Sequence, residues 1–384
     1  MKLVRIILVL FMSVLMFSCN LGGSTGDLKA DIDDDNVITS DNFTYSIDTI
    51  ADNLQNPWGL TFLPNNDLFV TERSGEIRII RDNQLLDQKI TGVPEVYAKG
   101  QGGLFEIKLH PDYESNGWLY ISYAAIGEGG GNTAIMRARL DGFNLVDKEV
   151  IFQALPFRTD GRHFGGHMEF NDEGYLFLSV GERGNRINAQ TLSNQSGKII
   201  RLRDDGSIPT DNPFINDNNA SPEIFTYGNR NPQGMVIHPA TGEIWTHEHG
   251  PMGGDEINII KAGNNYGWPE VTYGKNYDGT TITDVTTRED VAPPLHYWIP
   301  SIAPCGMEFV TSDRYPAWNG NLLVGSLKFR YVARIELDGE MVISEEKIIE
   351  NLGRIRSIAQ GPDGLIYVSM ESPGMVVRLM PEMK

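Results

Sequence analysis

The chain has 384 residues and a net charge of −19, with 40 % hydrophobic and 22 % charged residues. That composition belongs to a globular protein with apolar material for a large core. The acidic balance excludes nucleic acid, whose phosphates need a basic face, and simple electrostatic docking on anionic lipid.

Lys2 and Arg5 form a short basic region, and residues 6–17 are almost wholly apolar. The run is too short for a comfortable transmembrane helix and fits a signal peptide. Leu15-Met16-Phe17-Ser18-Cys19 has the form of a bacterial lipobox, so residues 1–18 are expected to be removed and Cys19 lipidated, placing the fold outside the cytoplasm. Residues 19–42 are rich in Gly, Ser and Asp and are expected to be a solvated tether to a domain spanning 43–384. Cys305 is the other cysteine, so with Cys19 lipidated no disulfide forms within the chain.

One pattern then recurs: a strand, a polar turn with Pro, Asn, Asp or Gly, and an apolar-aromatic strand. It occupies 59–70, 106–122, 167–178, 234–245, 306–324 and 357–368. A further strand follows each copy, at 77–80, 134–140, 198–202, 257–260, 332–337 and 376–379. The period of about 60 residues exceeds that of common propeller families and requires long loops, for which 209–220 and 275–291 are candidates. The expected fold is therefore all-β, a six-bladed β-propeller of four-stranded antiparallel blades, with residues 43–50 closing the ring on the last blade. A pair of β-sandwiches is the rival architecture.

Among the seven histidines, His110 and His238 each precede a proline at equivalent hairpin turns and read as structural. His163 and His167 sit in a Gly-rich segment entering a strand. His247 and His249 have the i, i+2 spacing that puts two side chains on one face of a strand, where they could bind zinc. Arg230, Lys328, Arg354 and Arg356 lie at loop-to-strand borders. The Arg354-Ile355-Arg356 pair suits bidentate binding of carboxylate or phosphate.

Read together, these segments resemble the soluble glucose and aldose sugar dehydrogenases that use pyrroloquinoline quinone (PQQ). The resemblance runs from about Asn53 to Leu379 and rests on Gly100-Gln101-Gly102-Gly103-Leu104, His163-Phe164-Gly165-Gly166, Gly181-Glu182-Arg183-Gly184, Gly228-Asn229-Arg230-Asn231-Pro232-Gln233-Gly234, Glu248-His249-Gly250-Pro251, Asp255-Glu256-Ile257-Asn258, Asn265-Tyr266-Gly267-Trp268-Pro269, Ser326-Leu327-Lys328 and Arg354-Ile355-Arg356, in the family's order. It implies oxidation of aldose sugars at the anomeric carbon to lactones, with electrons passed to an external acceptor. It implies that His163 is the general base, that Glu182, where the family has aspartate, orients it, and that Arg230 stabilises charge on the cofactor. Gln101, Arg230, Asn231, Lys328, Arg354 and Arg356 are implied to hold PQQ. The carbonyls of Gly250 and Pro251 are implied to bind a Ca²⁺ shared with PQQ, and Glu256 and Tyr266 a second, structural Ca²⁺. His167 replaces the family's arginine, and His249 replaces the glucose enzyme's glutamine. The chemistry is coherent: a trianionic cofactor needs cations in an acidic protein, and hard Ca²⁺ takes oxygen ligands. A propeller lactonase or hydrolase, and a non-catalytic propeller that binds carbohydrate or protein, are the alternatives in other classes.

Overall fold

The computed structural model describes residues 37–40 and 43–382, so the expected signal peptide, Cys19 and most of the tether lie outside the described residues. Six antiparallel sheets form the blades: five are four-stranded, and the sixth has five strands. The innermost strands, in chain order, are Pro57–Phe62, Leu104–Leu109, Gly165–Phe170, Pro232–Ile237, Pro304–Phe309 and Ile355–Gln360. Each packs against the next, and the last returns to the first, which makes the expected six-bladed propeller. Closure is as read from the sequence: Phe43–Ala51 pairs with the last strand of the chain, Met375–Pro381.

One boundary differs. Val37–Ser40, within the stretch expected to be a tether, forms a strand paired to Phe43–Ala51. Ile38 packs against the core of the last blade, and Ser40 Oγ accepts a hydrogen bond from Trp318 Nε1 at 3.3 Å.

Every innermost strand is bulged near its N-terminal end, where its register with the second strand slips. Opposite the bulge stands Thr71, Ser122, Ser179, His247, Gly325 or Ser369, according to the blade. In the first blade Thr71 Oγ1 accepts the Gly59 N–H at 2.8 Å and donates to Phe105 O of the next blade at 2.5 Å. Ser122 does the same between Glu106 N–H and Gly166 O, at 3.0 and 2.5 Å. His247 takes this place in the fourth blade: its Nε2 lies 3.3 Å from Gly306 O, and a Cβ at Gly234 would collide with the ring. In the first and second blades a hydroxyl thus satisfies a backbone N–H that the bulge removes from the ladder and links to the next blade, in the third Ser179 Oγ accepts the Gly166 and His167 N–H groups, and in the fourth His247 makes the link between blades.

His110 and His238 have the expected turn role. Nδ1 of His110 accepts the Asp112 N–H at 2.9 Å, and Nδ1 of His238 accepts those of Ala240 and Thr241 at 3.2 Å. At ring closure Trp318 is fully buried, with its ring 5.4 Å from Tyr45, 5.1 Å from Phe43 and 5.5 Å from Tyr315. Trp318→Ala should cost about 3–5 kcal/mol of folding stability by removing this aromatic contact between blades. Denaturant unfolding measures it; a loss below about 1 kcal/mol would mean that the closure does not depend on this packing.

Candidate active site

The bulged entrances of the innermost strands meet around one space. There the chain lines a cavity of about 290 Å³. Its walls come in two sets that follow the repeat. Trp58, Phe105, Gly165, Gln233, Ala303 and Arg356 come from the entrances of the six innermost strands, one per blade, with Phe164, Asn231 and Arg354 beside them. Arg73, His249, Leu327 and Glu371 each follow the end of a second strand. Gln101 completes the wall from the loop before the second blade.

The cavity is cationic in an acidic protein, since Arg73, Arg354 and Arg356 face one carboxylate, Glu371. Arg356 is buried and donates to Glu371 Oε2 at 2.9 Å and Gln233 Oε1 at 3.1 Å, with Cys305 Sγ at 3.0 Å. Glu371 also lies 3.9 Å from both Arg73 and Arg354. Burial pushes the Glu371 carboxyl up, but the arginines outweigh it and hold its pKa below the usual carboxylate range. Three guanidiniums, one carboxylate and the rings of Trp58, Phe105 and Phe164 leave room for a flat, multiply anionic ligand.

His163 adjoins this wall. It is buried and held at φ +54°, in the left-handed region. A non-glycine residue there is strained by about 1–3 kcal/mol and needs support. Its N–H donates to Gln101 Oε1 at 2.7 Å, and its carbonyl accepts the Arg183 N–H at 3.3 Å. Its Nδ1 lies 2.5 Å from Glu182 Oε1. With the proton on Nδ1 toward the carboxylate, Nε2 is left as the acceptor. Burial lowers the imidazole pKa and outweighs the Glu182 hydrogen bond, which raises it; nearby Arg230 lowers it further.

Arg230 lies in an adjoining crevice, separated from the main cavity by His249, which lines both. Its guanidinium donates to His249 O at 2.9 Å and Gly250 O at 3.2 Å, and stands 5.2 Å from the Trp268 ring. Glu248, Glu256, Gly250 and Tyr266 line the same crevice. Burial pushes Glu248 up to about 7 and Glu256 well above the carboxylate range. Among the described residues neither forms an ion pair with a cationic side chain, while Glu248 accepts hydrogen bonds from Asn229 Nδ2 and from the Arg230 and Asn231 N–H groups.

The structure thus brings Gln101, Asn231, Arg354 and Arg356 into one cavity, sets His163 and Glu182 against its wall, and puts Arg230, Gly250, Glu256 and Tyr266 next door; Pro251 follows in the Gly250 turn. Lys328 is exposed, with Nζ 4.9 Å above the Phe329 ring, and it is not in the cavity lining although Leu327 is. The zinc alternative finds no support: His249 Nε2 lies 2.8 Å from Pro304 O, His247 is the blade staple, and no group of three His, Cys, Asp or Glu suited to a metal occurs among the described residues. Trp58, Arg73 and Glu371 were not singled out by the sequence, and Gln233 stood there only inside the motif that begins at Gly228. Their position in the repeat, entering a first strand or leaving a second, is the signal that finds them.

The model of the glucose/sorbosone dehydrogenase family matches residues 54–378. The aldose sugar dehydrogenase YliI of Escherichia coli K12 is 41 % identical over 347 residues, covering 88 % of this chain and 93 % of the relative. The crystal structure of soluble aldose sugar dehydrogenase from E. coli in the apo form superposes with a TM-score of 0.84 at 38 % identity, over 88 % of this chain and 100 % of that one. The PQQ-bound aldose sugar dehydrogenase of Streptomyces coelicolor gives a TM-score of 0.72 at 26 % identity, over 88 % and 98 %.

Histidine titration by NMR should place the His163 midpoint below 6.5, and Glu182→Gln should lower it further, because the carboxylate is the contact that opposes burial. An unchanged midpoint in the variant would show that the two side chains do not interact in solution.

Proposed function

The chain belongs to the glucose/sorbosone dehydrogenase family, and from that premise we propose that it is a PQQ- and calcium-dependent aldose sugar dehydrogenase. It oxidises the anomeric carbon of an aldose to the lactone and passes two electrons to an external acceptor. The observation that carries this reading is the arginine-lined cavity beside the His163–Glu182 pair in a chain of charge −19.

The residues fit the cofactor. Arg354 and Arg356 would hold its carboxylates, with Gln101 and Asn231 contacting it and Trp58, Phe105 and Phe164 giving flat walls. The carbonyls of Gly250 and Pro251 would hold one Ca²⁺ once the Arg230 guanidinium turns away from Gly250 O, and Glu256 and Tyr266 another. When bound, PQQ supplies the hydride acceptor and Ca²⁺ the Lewis acid. His163 Nε2 takes the proton of the anomeric hydroxyl as C1 gives up its hydride, so the sugar loses one proton and two electrons with a hydrogen nucleus. Glu182 fixes the tautomer and stabilises the imidazolium that forms. Arg230 supplies fixed positive charge beside the metal turn.

The mature protein is read as an exported lipoprotein, anchored in the periplasm or at the outer membrane or cell surface through Cys19. The apolar run ending at Cys19 and the hydrophilic stretch after it support this reading. Cys19→Ser should move the protein from the membrane to the soluble fraction; equal fractionation of both forms would refute the anchor.

Dye-linked aldose oxidation by the purified protein should require both added PQQ and Ca²⁺, and His163→Ala should lower kcat by about 10²–10⁴-fold. Arg356→Ala should weaken PQQ binding in calorimetry by about tenfold or more, since it removes a buried charge facing the ligand. Absence of both aldose oxidation and PQQ binding would return the lactonase and binding-module readings.

A further inference from the structure

The strand Lys198–Leu202 begins with a lysine that is fully buried. Its Nζ donates to three backbone carbonyls, Asn188 O at 2.7 Å, Ser196 O at 2.8 Å and Ala189 O at 3.1 Å, and it forms no ion pair among the described residues. A buried ammonium without a carboxylate is costly. Three charge-assisted hydrogen bonds offset part of that cost, and they define where the lysine acts.

Two of the carbonyls belong to the short helix Ile187–Gln190. From there the contacts run straight to the reacting histidine. Asn188 Nδ2 donates to Glu182 O at 3.0 Å, and Glu182 Oε1 meets His163 Nδ1 at 2.5 Å. A second branch reaches the Arg230 loop. Ala189 O accepts the Gly228 N–H at 2.8 Å, Asn229 N–H donates to Gly197 O at 3.2 Å, and Glu182 N–H donates to Arg230 O at 2.9 Å. Gly197, at φ +75°, permits this approach, because a Cβ there would lie 2.7 Å from both Ala189 Cα and Asn229 O. The lysine therefore sits where the Glu182 loop and the Arg230 loop cross.

We propose that Lys198 is a positioning residue of the dehydrogenase, whose ammonium holds Asn188 and, through it, the Glu182 carboxylate against His163. This rests on the assignment of His163 as base. It goes beyond that assignment by placing the control of its geometry in a cation that touches neither sugar nor cofactor.

Charge on the lysine is part of the device. Burial pulls its pKa down to about 7. The elements packed around it are Leu176–Val180, Ile224–Tyr227, the helix Ile187–Gln190 and the turn at 194–197. Their titratable and charged side chains are Tyr227 opposite Lys198 in the ladder, and Glu182, Arg183 and Arg186 in the loop before the helix. None of these is bonded to Nζ.

The test is a double-mutant cycle on the PQQ- and Ca²⁺-loaded protein, with Lys198→Met, Glu182→Gln and Asn188→Ala. Lys198→Met should lower kcat roughly 10- to 100-fold, with KM and the calorimetric PQQ affinity within about twofold. Asn188→Ala, which keeps the lysine, should reproduce the loss and stands in if Lys198→Met does not fold. In the Glu182→Gln background either change should cost less than about twofold, since the contact it serves is already lost. Losses that add in full in that background, or a collapse of PQQ affinity, would overturn the proposal and leave Lys198 a structural residue. A wild-type protein that oxidises no aldose would instead refute the functional reading.

Discussion

The bulge near the start of each innermost strand is the constraint on which the rest depends. The bulge leaves backbone groups without ladder partners. Thr71, Ser122 and Ser179 meet those groups from the second strand, and Thr71 and Ser122 also bond the next blade. Local satisfaction of the backbone and closure of the ring are thus one set of bonds. The bulge repeats in all six blades, and one residue from each innermost-strand entrance lines the cavity. His247 takes over only the link to the next blade, through Nε2 and Gly306 O, and its ring requires a glycine opposite it.

Within that frame the site is an electrostatic inversion. The chain carries 51 acidic against 32 basic residues, yet the cavity carries three guanidiniums and one carboxylate. Glu371 is what makes this arrangement possible before any ligand arrives. It shares itself among Arg356, Arg354 and Arg73 and keeps them from repelling one another apart, while leaving an excess of positive charge for an anion. His163 is prepared in a different way. Its backbone is strained, its ring is fixed by one carboxylate, and burial keeps it neutral and able to accept a proton in the neutral range. Both preparations are made in folding, so little reorganisation is left for the reaction.

The fold was legible because the two inner strands of each blade alternate apolar and polar residues around Pro, Asn, Asp or Gly turns. The outer strands were not, for two reasons. Ile224–Tyr227 and His296–Trp298 are too short to show a period, and Met341–Ile348 has mostly exposed, polar positions. The residues that stood out around the site were those in Gly-rich loops, where a side chain out of keeping with a turn draws notice: His163, Arg230, Arg354. Nothing in the sequence alone sets Trp58 and Phe105 apart from core aromatics, or Glu371 from the other acids of an acidic chain. Their role exists only once second-strand exits and first-strand entrances face each other across the axis. Lys198 was hidden for the same reason, since a lysine opening a strand ordinarily faces solvent.

Lys198 also shows how stability and geometry part company. In the unfolded chain its amine has the ordinary pKa of 10.5, and in the fold about 7. Between those values the unfolded state holds more protons, so folding stability rises with pH across that window, and below it the fold carries the full cost of a buried charge. The hydrogen-bond geometry runs the other way. The three carbonyls attract the ammonium more strongly than the amine, so the link from Asn188 to Glu182 is tightest where the fold is least helped. A residue kept only for stability would not have this sign. A neutral side chain could fill the space, and the three carbonyls could be met by backbone N–H groups, as Ala189 O already is by Gly228. What a neutral residue could not do is hold one crossing point of the Glu182 and Arg230 loops from three directions at once. The arrangement therefore makes sense as part of the setting of the proton acceptor rather than as part of the core.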